Sequence, residues 1–195
     1  MTSKCLMWVS YGDRAALETR FSKESASRWS DLPQRVITRD VGAVSNKIAS
    51  RYAKTTMLSS TTFEQIGYLD ADTRVNGSLQ PAFDMLDDGW DIVMTASNSQ
   101  DTDLMWHLQE AEAEATLNEL GYLPLALQCG VMFVNRNERT EAFWRAWHEE
   151  WMRWADEDQG AFLRALKRVP LKVWILGRPW NGGAVIDHRF GMVRS

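Results

Sequence analysis

The sequence is too poor in cysteine for a disulfide framework. Cys5 and Cys129 are the only two in 195 residues, whereas small secreted folds rely on several cross-links. Cys5 heads an apolar run and Cys129 stands beside Gly130, so both are expected as buried thiols in a reducing compartment. Also missing is any stretch of about 18 apolar residues, the length a membrane-spanning helix needs. The start, Met-Thr-Ser-Lys-Cys, lacks the charged and then long apolar character of a secretory signal, and a cytoplasmic location is expected. With only five prolines and no low-complexity linker or internal repeat, one domain over residues 1–195 is expected. Hydrophobic residues make up 45% and charged residues 25%, a soluble composition able to bury a core.

Acidic residues are scarce at one end of the chain. From Arg164 onward seven cations face a single acid, Asp187, a balance of +6, while the other 163 residues carry −10. An anionic ligand is better received by the C-terminal segment; a solvated basic edge accounts for the same count. Tryptophan, by contrast, is abundant, with ten residues. Trp144, Trp147, Trp151 and Trp154 recur at spacings of 3, 4 and 3, which puts them on one helical stripe. The stripe is expected in the core, with a sugar-stacking platform or a dimer seam as alternatives.

Strand and helix signals alternate. Leu6 to Val9 reads as a buried strand ending in the turn Ser10-Tyr11-Gly12-Asp13, and a helical spacing through Leu17 and Phe21 follows, closed by Pro33. Strands are expected over 35–38, 63–69 and 91–95, with helices over 44–53 and 79–86 between them. The second half predicts helices over 104–120 and 138–155, the latter capped by Asn137, and a shorter one opened by Asp158. Strands are expected over 131–134, 172–176 and 184–186. Such alternation implies an α/β fold, a mostly parallel Rossmann-like sheet with helices on both faces.

Three Asp-x-Asp pairs occur, Asp70/Asp72, Asp101/Asp103 and Asp156/Asp158, of which chance supplies about one. Context separates them. Asp70 directly follows the apolar strand Ile66-Gly67-Tyr68-Leu69, Asp101 lies in a polar stretch and Asp156 follows a surface helix. Ligands of an open parallel sheet bind in the crevice at the carboxyl ends of its strands, where Asp70 and Asp72 are expected. Two carboxylates there offer hard oxygen ligands to Mg²⁺ or Mn²⁺ and imply a phosphoryl substrate; the alternative is that they cap a turn.

The segment Thr62 to Thr73, Thr-Phe-Glu-Gln-Ile-Gly-Tyr-Leu-Asp-Ala-Asp-Thr, resembles the strand and metal motif of nucleotide-diphospho-sugar transferases of the GT-A fold. Cys129-Gly130-Val131 is similar to that family's Asn-x-Gly-Val strand, with Gln128 in place of Asn. Phe143 to Trp151 resembles its Trp-rich helix, Asp158-Gln159 its Asp-Gln helix start and Trp180-Asn181 its Trp-Asn pair. His188-Arg189-Phe190-Gly191 is similar to the His-x-x-Gly of the retaining, glycogenin-like and lipopolysaccharide-galactosyltransferase branch, without the Lys-Pro-Trp that often follows.

The resemblance implies a glycosyltransferase that uses a nucleotide sugar and Mn²⁺ or Mg²⁺ held by Asp70, Asp72 and His188. It implies a donor site that includes Tyr11, Gly12, Lys54, Ala71, Gly130 and Arg189, with Tyr11 stacking on the base and Lys54, Arg189 or Arg194 near the diphosphate. Asp158 and Gln159 are implied at the sugar or its anomeric centre, and retention of configuration is favoured. The acceptor expected is a saccharide hydroxyl. A polyanion such as modified DNA is the alternative, disfavoured because the −10 remainder of the chain repels a long duplex. A haloacid-dehalogenase-like phosphatase also uses Asp-x-Asp, but on a strand near the N-terminus and with Thr where this chain has Arg74. A non-catalytic sugar-binding module would keep the Trp stripe and need no metal.

Overall fold

The apolar run after Lys4 is buried on both faces, as a central strand of a two-sided sheet is. This is β1 (Lys4–Val9), and the computed structural model, which describes residues 2–38, 42, 44–97 and 108–190, builds outward from it. Along the chain follow α1 (Asp13–Ala26), β2 (Gln34–Ile37), α2 (Asn46–Thr55), β3 (Gln65–Leu69), β4 (Thr73–Val75) and α3 (Gln80–Asp87). Then come β5 (Ile92–Ala96), α4 (Glu110–Leu120), β6 (Leu127–Asn135), α5 (Glu138–Met152), α6 (Asp158–Arg168), β7 (Val173–Leu176) and β8 (Ile186–His188).

The main sheet has six strands in the order β2-β1-β3-β6-β5-β7. β1 pairs parallel with β2 and β3, and β5 with β7, while β6 runs antiparallel to both of its neighbours. Five strands therefore share one direction, as the alternation predicts, and only β6 is reversed. β4 and β8 form a separate antiparallel ribbon in which Thr73 faces His188. The strand expected over 184–186 starts later and joins this ribbon instead of the main sheet. The helix expected from residue 104 begins at Glu110 among the described residues, and Asp101, Asp103, His107, Gly191 and Arg194 lie outside them.

Alternate side chains of the strands feed two cores. Met7, Ile66, Tyr68, Met94 and Cys129 pack with Phe143, Trp147 and Phe162 beneath α5 and α6, whereas Leu6, Trp8, Leu69 and Phe133 pack with Phe83 of α3. Trp154 lies beyond the end of α5 and is half-buried, but the rest of the tryptophan stripe is core, as expected: Trp144, Trp147 and Trp151 are buried. Each spends its indole N–H on a backbone carbonyl, of Lys54 at 3.3 Å, of Asp158 at 2.9 Å and of Asp156 at 3.1 Å respectively. The stripe thus pins two segments that the site uses. Both cysteines are buried free thiols, and burial pushes Cys5 up to about 12, out of reach of thiolate chemistry.

Candidate functional site

β3 ends at Leu69, and the chain turns at once. The Asp70 N–H donates to the Gly130 carbonyl of β6 at 2.8 Å, and the Asp70 carbonyl accepts from the Thr73 N–H and hydroxyl at 3.1 and 2.8 Å. Ala71 and Asp72 lie buried within this turn, which opens the β4–β8 ribbon and brings His188 alongside. Asp70, Asp72 and His188 offer one ligand atom each, all within 4.8 Å of one another. The three sequence-predicted ligands therefore converge, from positions far apart in the chain.

A divalent cation of the Mn²⁺ or Mg²⁺ class fits this donor set. Two carboxylates and an imidazole on one side of an ion leave the other side for water and phosphate oxygens. Gly130 supplies the room: a Cβ there would lie 2.5 Å from Asp70 Oδ2 and press on His188 Cε1. Asp70 is held by its other oxygen, Oδ1, which accepts from the Tyr68 hydroxyl at 2.7 Å and lies 3.2 Å from Lys54 Nζ. Burial pushes the Asp70 carboxyl up, and Lys54, His188 and the Tyr68 hydroxyl together hold it below its ordinary value.

Lys54 is buried between two carboxylates, Asp70 and Asp158, the latter at 2.9 Å. Burial works against its ammonium, but the two carboxylates keep it well above its usual range. Asp158 is likewise raised by burial and pulled down by Lys54 and Arg51 to about 2. Asp158 is the first helical residue of α6, not its cap; Glu157 occupies the cap position without a side-chain hydrogen bond. Its carboxylate belongs to the Lys54 clamp. Gln159, half-buried next door, donates to the Leu127 carbonyl at 3.4 Å, and Gln128 folds back to accept from the Gly130 N–H at 3.1 Å.

The other sequence-predicted residues lie around this centre. Gly12 precedes α1 with φ of 83°, and a Cβ there would collide with the Asn46 amide, so the turn after β1 needs glycine twice over. Tyr11 is half-buried against the core. Arg189 is exposed and ties its backbone N–H to the Asp72 carbonyl at 2.9 Å.

Sequence reading passed over Tyr68, Arg51 and any role for Asn181. Arg51 was legible in charge spacing. Lys47, Arg51 and Lys54 fall on one face of α2, opposite the run Asp156-Glu157-Asp158, and they pair with it.

No protein-family model matches the sequence, and no curated protein matches it. Solved structures do. The fold is similar to that of a glycosyltransferase involved in the glycosylation of the major capsid of PBCV-1, with a TM-score of 0.62 at 14% identity over 96% of this chain and 93% of that one. It is similar to mouse xyloside xylosyltransferase 1, at 0.58 and 12% over 91% and 86% of the two chains. The galactosyltransferase LgtC, in complex with donor and acceptor sugar analogues, superposes at 0.57 and 14% over 88% and 73%. Likeness at this level of identity is likeness of fold: the chain has the GT-A fold found among glycosyltransferases.

Proposed function

We propose that this chain is a divalent-metal-dependent glycosyltransferase that moves a sugar from a nucleoside-diphosphate sugar to a hydroxyl of an acceptor, in the favoured reading a saccharide. The observation that carries the proposal is the convergence of Asp70, Asp72 and His188 at the carboxyl end of β3, in a GT-A fold. In the proposed reaction the anomeric C–O bond of the donor breaks with its electron pair on the diphosphate oxygen. The acceptor oxygen forms the new glycosidic bond and gives up its proton to the released diphosphate or solvent. Mn²⁺ or Mg²⁺, when bound, supplies positive charge against the charge that builds on the leaving oxygens.

The protein groups divide the remaining work. Asp70, Asp72 and His188 hold the cation, and the small residues Ala71 and Gly130 let phosphate oxygens approach it. Tyr11 stacks on the nucleobase where Gly12 keeps the backbone low. Arg189, exposed beside His188, adds a cation for the diphosphate. Lys54 acts through Asp70 and Asp158, since both of its close partners are carboxylates. Asp158, buried in the Lys54 clamp, and half-buried Gln159 are assigned to the donor-sugar side, and with them the reading favours retention of anomeric configuration. LgtC, crystallised with donor and acceptor sugar analogues, supports a saccharide on both sides of the transfer.

Modified DNA as acceptor is the weaker reading, because much of the basic C-terminal segment is already paired within the molecule. Arg164 is buried against Glu112 and Glu150, Lys167 donates to the carbonyls that end α4, and Arg168 pairs with Glu149 and Glu150. A sugar-binding module loses most of its platform, since Trp144, Trp147 and Trp151 are buried.

A thermal-shift panel of nucleotide sugars with and without Mn²⁺ tests the proposal. One donor is expected to stabilise the protein only with Mn²⁺, by about 2.7 kcal/mol at a hundredfold excess over Kd. Asp72→Ala is expected to lose that response and the turnover with it. Undiminished turnover by Asp72→Ala would show the assignment to be wrong.

A further inference from the structure

An imidazole binds a cation only through a nitrogen that carries no proton, and the hydrogen bond at the other nitrogen decides which one that is. The Nε2 of His188 lies 3.3 Å from Asp72 Oδ1 and 3.9 Å from Asp70 Oδ2. A proton on Nε2 would be drawn to those carboxylates and would occupy the position of the cation. The opposite nitrogen, Nδ1, lies 3.1 Å from Asn181 Oδ1. The Asn181 amide is itself oriented, because its Nδ2 donates to the Ala96 carbonyl at the end of β5 at 3.1 Å. An amide whose NH₂ is committed to a carbonyl turns its oxygen to a second partner, and that oxygen only accepts. Nδ1 then has to donate, and Nε2 keeps its lone pair toward Asp70 and Asp72.

Asn181 is 1% exposed, so water offers little competition for these bonds. It is fixed from its backbone as well, where its N–H donates to the Arg178 carbonyl at 3.0 Å and the preceding Trp180 packs edge-on against Phe133. We infer that Asn181 is the positioning residue that makes His188 a metal ligand, by holding the ring proton on Nδ1 against the pull of the two carboxylates on Nε2. The inference rests on the metal-dependent reading proposed above, and its mark is visible without metal, donor or acceptor.

The test has two arms, both on the full chain. Nitrogen chemical shifts of the imidazoles are recorded on the metal-free protein at a pH where the ring is neutral, with His188→Ala to assign His188 among three histidines. Mn²⁺ alone is then titrated, by electron paramagnetic resonance, into the parent, Asn181→Leu and Asn181→Asp. Expected are the Nδ1–H form in the parent and the Nε2–H form in Asn181→Leu, with Mn²⁺ affinity in that variant about 10- to 100-fold weaker. Asn181→Asp keeps an acceptor at the same place and is expected to keep both the Nδ1–H form and an affinity within about fivefold of the parent.

An Nε2–H ring in the parent overturns the inference, as does an Asn181→Leu affinity within about threefold of the parent. Should Asn181→Leu not fold, the parent ring form and the Asn181→Asp affinity decide the matter. If the parent binds no Mn²⁺, the metal-dependent reading of the site fails, and the ring form of the parent still decides whether Asn181 sets the tautomer.

Discussion

Gly130 carries no functional group, yet the site leaves no room for a side chain on it. A methyl at this position would lie 2.5 Å from Asp70 Oδ2 and against His188 Cε1, so one of the two ligands has to move. Gly130→Ala is expected to cost about 1–3 kcal/mol of stability by overpacking and to weaken Mn²⁺ binding at least about tenfold, read by calorimetric titration beside a denaturant curve. Asp158 gives a second prediction, from pH. Burial opposes its charge, but Lys54 and Arg51 lower its pKa from 3.8 to about 2. A lowered carboxyl contributes stability that is fully present above its unfolded pKa and fades as pH falls through the folded one. Asp158→Asn is therefore expected to be less stable than the parent at pH 7 by about 2 kcal/mol, with the gap closing between about pH 4 and pH 2. Urea unfolding across that range checks it; a gap that widened in acid would show that the Lys54 pair is not what holds Asp158. At this scale Asp70 and Asp72 were legible because an apolar strand runs straight into them. Lys54 was legible as a cation but not as a clamp, since its partners Asp70 and Asp158 lie on other elements and no local pattern joins them.

The helices packed beside the sheet hold the clamp in place, and the sequence reveals them unevenly. α5 was readable from its tryptophan period and from Asn137, whose side chain accepts from the Thr140 N–H in a reciprocal capping box. The reversed direction of β6 was not readable, because an apolar strand reads the same in either direction and its sense is set by how the chain returns to the sheet. Nor was the knot between α4, α5 and α6. Arg164, 2% exposed, meets Glu112 and Glu150 at 3.1 Å each and also donates to the Thr116 hydroxyl; in the sequence it is one more cation in a basic stretch. Removing it leaves Glu112 buried without the cation it pairs with, while Glu150 keeps Arg153 and Arg168. Arg164→Ala is expected to destabilise the fold by about 3–5 kcal/mol, visible as a lower denaturant midpoint, whereas Lys172→Ala on the exposed surface is expected to stay within about 0.5 kcal/mol of the parent. Equal midpoints for the two variants would mean that the knot does not stabilise the packing of α4 on α6.

Charge over the whole molecule decides how it meets a long polyanion. The net charge of −4 combines a C-terminal segment of +6 with a remainder of −10, and by count alone that segment resembles a landing strip for nucleic acid. The folded molecule disposes of it differently. Arg164 is buried, and Lys167 and Arg168 are tied to α4 and α5; among the described residues Lys172, Arg178 and Arg189 are the exposed cations of the segment that remain, with Asp187 between them in sequence. Each phosphate neutralised on a duplex contributes a slope of about −0.9 to log K against log salt. Three such cations account for a slope of about −3, and the acidic remainder of the chain opposes even that. Duplex DNA is expected to bind weakly at physiological salt, with a slope no steeper than about −3. Fluorescence anisotropy of a labelled duplex between 50 and 200 mM salt measures it. A slope of about −5 or steeper would require cations beyond these three to reach the backbone, and would move the preferred acceptor from a saccharide to a nucleic acid.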